Sequence, residues 1–244
     1  MSAFPSIPAA FERPRTGGVD VLFVAGEHSG DQHAAKAIQD LLKLRPDLRV
    51  AAFGGPRMQA AGAQLLFDMT GFSAVGIVEV LSAYPFYRRL FARMTAWSLQ
   101  WKPKLVVLVD YPGLNLRLAN ELRLAGLSRA GGGETAVIQY VSPQLWAWKP
   151  KRRFTMARDL DAVGTIFPFE PAVYADTKLD ARFVGHPFAE ADHVPALSYD
   201  AEGPVLLLPG SRPKPVRKIF PALLEAFARF RPAHPKRRPL VLPP

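Results

Sequence analysis

A short apolar run that ends in a polar turn constrains the fold of this chain most strongly. Residues 21–25 read Val-Leu-Phe-Val-Ala, which is typical of a buried strand in a parallel sheet. Gly26 and Gly30 then permit a tight turn, and Asp31 opens a helical pattern with apolar residues on one face. We expect Asp31 to cap this helix, whose free N–H groups favour an anion. The stretch predicts the strand–loop–helix opening of an α/β domain.

The turn after this strand does not match the G-x-G-x-x-G pattern, so a dinucleotide site is not supported. It carries Glu27, Ser29 and Asp31, more polar side chains than a structural turn requires. A ligand-binding loop and a plain turn both fit the pattern.

Further apolar runs predict more strands. They are residues 49–53, 104–109, 135–141, 161–166 and 181–184, with a later pair at 205–208 and 239–242 around a helix from 216 to 230. Asp110 stands directly after one of these runs. A carboxylate at the end of a buried parallel strand can serve as a general base or cap the next helix. Position alone does not choose between these two roles.

The composition excludes several classes of protein. The chain has no cysteine, so disulfide frameworks and thiolate metal sites are ruled out. Its longest run without charge, residues 135–148, is 14 residues and too short to span a membrane. The net charge of +10 is compatible with three kinds of partner: nucleic acid, an anionic membrane surface or phosphorylated substrates. The basic clusters at 149–153 and 236–238 match no nucleic-acid-binding motif, so we expect no nucleic-acid partner. The absence of cysteine, of a signal-peptide pattern and of a membrane-spanning run leads us to expect a cytoplasmic protein.

The segment from Val75 to Phe91 mixes apolar residues with tyrosines and arginines. It fits a core helix, or an interfacial segment whose arginines meet lipid phosphates. In the second interpretation the membrane contacts are Val75, Ile77, Val78, Leu81, Phe86, Arg88 and Arg89.

Trp146 and Trp148 follow the predicted strand at 135–141. They fit a plug at the edge of the domain, or stacking faces for a sugar or base.

The chain divides by composition into four parts. Residues 1–18 are expected to be a disordered leader, 19–187 a Rossmann-like domain, and 188–203 a linker. Residues 204–244 contain too few elements to bury a core and indicate the beginning of a second domain.

Taken together, the motifs resemble the lipid-A-disaccharide synthase family, inverting glycosyltransferases of the GT-B fold. The segments that carry the resemblance are residues 24–31, 55–58, 76–81, 140–148, 183–187 and 208–212. The resemblance implies two Rossmann-like domains facing a cleft, with the second one only begun here. It also implies transfer of 2,3-diacylglucosamine from its UDP donor to 2,3-diacylglucosamine 1-phosphate (lipid X), which gives a β-1,6 disaccharide and UDP. The portion implied for UDP binding lies largely beyond this chain, so weak donor binding is expected.

The resemblance also implies roles for individual residues. Asp110 matches the general base, and Arg212 matches an arginine that stabilises the leaving phosphate. The implied substrate-binding residues are Glu27, Ser29, Gly30, Arg57, Asn115, Ser142, Trp146, Ser211 and Arg212. Gly113, Leu114 and Pro215 depart from the family pattern.

The resemblance further implies that neither a metal nor another cofactor takes part. Family members associate peripherally with the inner membrane, and a homodimer is compatible with the pattern. A non-catalytic module that binds anionic lipid is the alternative function.

Overall fold

The structure is a computed structural model that describes residues 5–70, 79–187, 189, 200–210 and 213–241. The chain forms two compact units, residues 1–189 and residues 190–244.

The first unit is a parallel sheet with helices on both faces. Its strands are β1 (Val21–Ala25), β2 (Val50–Gly54), β3 (Gln64–Asp68), β4 (Leu105–Val109), β5 (Ala136–Tyr140), β6 (Ala162–Thr165) and β7 (Asp180–Phe183). Its helices are α1 (His28–Leu44), α2 (Pro56–Ala60), α3 (Glu79–Trp101), α4 (Pro112–Leu124) and α5 (Arg152–Asp159). The seven strands lie in the order β3-β2-β1-β4-β5-β6-β7, all parallel. The predicted parallel α/β fold is confirmed, and the strand order reverses between β1 and β4, where such sheets bind ligands.

The alternation of side chains along β1 divides the core between the two faces of the sheet. Leu22 and Val24 belong to the cluster that includes α3 and α4, while Val21 and Phe23 belong to the cluster formed with α1 and α2. Both faces of β1 are therefore buried, which explains its continuous apolar sequence.

The chain before β1 is ordered where the structure describes it, contrary to the predicted disordered leader. The ring of Phe11 is buried, with its centroid 4.8 Å from that of Phe53. Trp97 donates its indole N–H to the Glu12 carbonyl at 2.8 Å, and the Gln64 side chain donates to the Arg13 carbonyl at 2.9 Å. Burial of one aromatic ring and these hydrogen bonds fix residues 11–13 to the sheet.

The membrane-contact prediction for residues 75–91 is tested only in part. Val75, Ile77 and Val78 lie outside the described residues, as does the side chain of Leu81. Phe86 is buried in the core, so its assignment as a membrane contact is wrong and the core-helix interpretation applies there. Arg88 and Arg89 are exposed on α3. No described helix is long and apolar enough to cross a bilayer.

The second unit contains β8 (Val205–Leu207), α6 (Pro213–Phe230) and β9 (Pro239–Val241). The two strands are parallel, as the sequence predicts for a strand–helix–strand unit. Ser211 and Arg212 lie outside the described residues, as does most of the predicted linker at 188–203. The domain boundaries therefore stay a prediction.

Asp31 joins the loops that follow β1 and β2. Its buried carboxylate accepts hydrogen bonds from the backbone N–H groups of Gly55 at 3.0 Å, Arg57 at 3.1 Å and Met58 at 3.1 Å. The prediction that Asp31 caps its own helix is wrong, because α1 begins at His28 and Asp31 lies inside its first turn. Asp31 instead caps α2, a short helix that the sequence analysis does not predict.

Replacing Asp31 by alanine should lower the free energy of unfolding by about 3 kcal/mol, because three buried N–H groups lose their acceptor. Asp31→Asn keeps one acceptor oxygen and should fall between the alanine variant and wild type. Urea unfolding followed by circular dichroism measures both. Asp40→Ala, an exposed position on the same helix, is the matched control and should change little. A loss below about 1 kcal/mol for Asp31→Ala would contradict the capping role.

Candidate functional site

The loops after β1 and β4 meet at the centre of the sheet edge. The register pairs Ala25 with Val109, so Gly26 begins its loop beside Asp110. A Cβ added to Gly26 would lie 2.5 Å from Cδ1 of Tyr111, because the tyrosine ring covers this glycine. The glycine is thus required for close packing of the two loops.

The backbone at Asp110 adopts an unusual conformation. Asp110 and Tyr111 both have left-handed φ values, 50° and 40°. For residues other than glycine this conformation costs of order 1 kcal/mol each, so the surrounding contacts must hold it in place.

Two buried amides fix this turn. The Asn115 side chain donates to the carbonyl of Val109 at 2.9 Å and to that of Asp110 at 2.7 Å. The Gln139 side chain donates to the same Asp110 carbonyl at 2.9 Å. The Asp110 N–H donates to the Tyr140 carbonyl at 2.9 Å. These hydrogen bonds fix the backbone of Asp110 and therefore the position of its Cα.

This geometry excludes one of the two roles that the sequence left open for Asp110, and the role of general base stays a prediction. The N-cap of α4 is Tyr111, and Asp110 does not cap the helix. The Asp110 side chain is half-buried at the carboxyl edge of the sheet, a position from which it can accept a proton. Asn115 is fully buried and its side chain donates to backbone carbonyls, so it positions the aspartate, and its predicted contact with substrate stays a prediction.

His33 lies near Asp110, and His186 lies near His33. Burial lowers the pKa of His33, the negative charge of Asp110 raises it, and the nearby His186 lowers it further. Since burial is the largest of these effects, His33 is held toward its neutral form at pH 7. An imidazole and a carboxylate therefore stand together at this edge.

Glu27, Tyr87 and Tyr111 form a second polar group on the other side of the loop. Burial, followed by the interaction with Tyr111, raises the pKa of Tyr87 to about 12. The Tyr87 hydroxyl is hydrogen-bonded to Tyr111, and the charge of Glu27 acts on it as well. Tyr87 therefore keeps its proton at neutral pH, and α3 is connected to the Asp110 loop.

The remaining predicted residues of the first two loops lie in different environments. Ser29 is exposed and Glu27 half-buried at the start of α1, so both are open to a ligand. Gly30 is buried, and an added Cβ would lie 3.2 Å from the Ala25 Cβ, so its role is packing of α1 against the sheet. Arg57 is exposed on α2, and its backbone N–H is occupied by Asp31.

Ser142 lies in the interior of the domain, and its predicted contact with substrate stays a prediction. It is buried, and its hydroxyl is hydrogen-bonded to the Tyr174 hydroxyl at 2.8 Å and to the Pro143 carbonyl at 3.0 Å. Burial raises the pKa of Tyr174 to about 12, so this pair stays neutral.

Trp146 and Trp148 are 51% and 68% exposed, which excludes the interpretation of a buried plug. The Trp146 ring meets the edge of Phe169 at 5.5 Å between centroids, and Phe169 stacks on Phe167 at 5.6 Å. His186 lies against Phe167 at 5.8 Å. The rings of Trp146, Phe167, Phe169 and His186 form an aromatic surface, the Trp146 ledge, on which a sugar or base could stack.

A groove of about 1360 Å³ opens beside the Asp110 loop. It is lined by α3, α4 and the segment 149–159, with aromatic and apolar residues next to basic ones. Within the described part of the chain, no three His, Cys, Asp or Glu side chains are grouped closely enough to hold a metal ion.

Sequence reasoning missed several residues of this site. Gln139 lies in an apolar strand, His33 stands in no recognisable motif, and Tyr87 falls within the segment predicted to be interfacial. A glutamine within an apolar run that predicts a buried strand could have indicated Gln139, because a buried amide requires hydrogen-bond partners.

Known proteins resemble the chain over most of its length. A family model described as Lipid-A-disaccharide synthetase matches residues 21–242. Lipid-A-disaccharide synthase from Anaeromyxobacter dehalogenans is 39% identical over 223 residues, which is 88% of this chain and 56% of that protein. Lipid-A-disaccharide synthase 1 from Legionella pneumophila is 35% identical over 230 residues, 91% of this chain and 58% of that protein. The chain thus spans just over half the length of these relatives.

Among solved structures, that of MurG from Acinetobacter baumannii matches 77% of this chain and 48% of its own. The TM-score is 0.43 and the sequence identity 11%.

Asn115→Ala should lower the free energy of unfolding by about 2 kcal/mol, because the buried Val109 carbonyl loses the Asn115 donor and the Asp110 carbonyl keeps only the hydrogen bond from Gln139. Asn115→Asp should lower it at least as much, since it places an acceptor against the same carbonyls. Urea unfolding provides the measurement. Gln144→Ala, which removes an exposed amide, is the control and should leave stability within about 0.5 kcal/mol of wild type. An equally small effect at Asn115 would contradict its positioning role.

Proposed function

The chain belongs to the lipid-A-disaccharide synthase family, and on that premise we propose that it forms the acceptor-binding part of a glycosyltransferase of lipid A biosynthesis. The proposed donor is UDP-2,3-diacylglucosamine, and the proposed acceptor is lipid X. The complete enzyme would have the two-domain GT-B arrangement, with residues 204–244 beginning the donor domain.

The observation that carries this proposal is the placement of Asp110. Its half-buried side chain stands at the switch point of the sheet, on a backbone that Asn115 and Gln139 fix. In the proposed step the acceptor's 6-hydroxyl oxygen attacks the anomeric carbon of the donor. The bond from that carbon to the UDP oxygen breaks, UDP leaves with the electron pair, and Asp110 takes the hydroxyl proton. The anomeric configuration inverts.

Neighbouring residues support this chemistry. His33 lies near Asp110, where its neutral imidazole can hydrogen-bond the carboxylate or the sugar. The exposed Trp146 ledge offers a stacking face to the donor or acceptor sugar. Ser211 and Arg212 are proposed to stabilise the leaving phosphate, since a guanidinium pairs well with phosphate oxygens. The UDP-sugar is a substrate in this reaction, and the proposed step involves neither a metal nor another cofactor.

Peripheral association with the cytoplasmic face of the inner membrane is part of the proposal. Its support is the positive charge of the chain and the exposed pair Arg88 and Arg89, close in sequence to the apolar residues 75–81. A homodimer stays a prediction.

Asp110→Asn should reduce UDP release from the diacylglucosamine donor in the presence of lipid X by about 10²- to 10⁴-fold. The amide has nearly the same shape and cannot accept the proton. Asp180→Asn, an exposed carboxylate paired with Arg182 at the edge of the sheet, is the matched control and should retain activity. Circular dichroism should show that both variants fold.

Two outcomes would count against the proposal. If Asp110→Asn releases UDP at a rate close to that of wild type, Asp110 is not the base. If the correctly folded chain binds anionic vesicles but does not bind lipid X, the acceptor-binding role is contradicted and the alternative of a non-catalytic module for anionic lipid is supported.

A further inference from the structure

We infer that the groove between α3, α4 and α5 holds the phosphate and an acyl chain of the acceptor while its sugar lies at Asp110. This inference rests on the proposed function and identifies where the acylated sugar phosphate would bind.

The floor of the groove suits an acyl chain. Tyr87 and Leu116 are half-buried and Phe91 is buried, and all three line the groove with Pro112. These side chains of α3 and α4 give the groove an apolar surface that is partly exposed to water. A hydrocarbon chain laid along it would remove that surface from solvent.

The rim of the groove suits a phosphate. Arg88, Arg117, Lys151 and Arg152 line it, and none pairs with a carboxylate among the described side chains. Two carboxylates also border the groove. Asp159 is buried and paired with Arg123 and Arg158, whereas Glu121 is exposed on α4, and the lining keeps an excess of positive charge. The cations of the rim converge from three elements on one apolar surface, which is the charge pattern that an acylated phosphate complements.

The groove is joined to the Asp110 loop. Pro112 and Gly113 line it and follow Asp110 and Tyr111 directly in the chain. Tyr87, which lines it from α3, is hydrogen-bonded to Tyr111. A molecule whose sugar hydroxyl reaches Asp110 can therefore extend its other groups into the groove without crossing the protein interior.

Gly113 lines the groove and has open space beside it. It is exposed, it has no left-handed φ, and an added Cβ would meet no atom within 4 Å. A larger side chain can therefore be placed there without backbone strain, where it would occupy the space proposed for the ligand. This position provides a steric test that is independent of charge.

The experiment measures binding of monomeric lipid X to the full chain by isothermal titration calorimetry. The charge-reversal double variant Arg117→Glu/Lys151→Glu should bind about 10- to 100-fold more weakly, because two phosphate contacts become repulsive. Gly113→Leu should weaken binding by about 10-fold or more by filling the groove. Lys178→Glu/Arg129→Glu, a pair of cations outside the groove, should bind as wild type does.

Two analogues separate the contributions of the ligand. Glucosamine 1-phosphate lacks the acyl chains and diacylglucosamine lacks the phosphate, so each should bind at least about 10-fold more weakly than lipid X. If either analogue binds as tightly as lipid X, the groove does not recognise both groups and the inference is overturned.

Vesicles that contain phosphatidylglycerol test whether the groove recognises bilayer lipid instead. If Arg117→Glu/Lys151→Glu loses vesicle binding but binds lipid X as wild type does, the groove contacts the membrane and the inference fails. Unchanged lipid X binding in Gly113→Leu would also overturn it. In either case UDP release that depends on Asp110 would leave the proposed function intact.

Discussion

The site depends on a turn whose left-handed backbone angles are unfavourable for the two residues that adopt them. Asp110 and Tyr111 adopt left-handed backbone angles at the end of β4, and the side chains of Asn115 and Gln139 hold the carbonyl between them. That turn separates the Asp110 carboxylate from the capping position of the helix that follows, and it lays the Tyr111 ring over Gly26. It also begins the groove at Pro112. This one turn therefore determines the position of the proposed base, the packing of the two loops and the start of the proposed acceptor groove.

Two aspartates at the carboxyl edge of the sheet have different roles because their environments differ. Asp31 is buried and accepts three backbone hydrogen bonds, so its charge is used to hold α2 beside β1. Asp110 is half-buried, its backbone is fixed by hydrogen bonds, and the imidazole of His33 lies near it. A carboxylate that is fully bonded stabilises the fold, whereas one that is positioned but accessible can exchange a proton.

The strands were largely predictable, because a parallel strand buried on both faces must be apolar throughout. The short helix α2 and edge strand β3 were not, since one depends on an acceptor 24 residues earlier in the chain and the other is only partly buried. Asp110 could be found from its place after β4. The structural roles of Asn115 and Ser142 could not, because their partners are distant in sequence or are backbone atoms. Exposure of Trp146 likewise required the packing of Phe169 to be known.

The most direct test of the central claim is a crystal structure of the chain with lipid X bound. We predict that the acceptor's 6-hydroxyl oxygen lies about 2.6–3.2 Å from a carboxylate oxygen of Asp110, the distance required for proton transfer. A bound acceptor whose 6-hydroxyl lies beyond the reach of Asp110, with no water between them, would contradict the account.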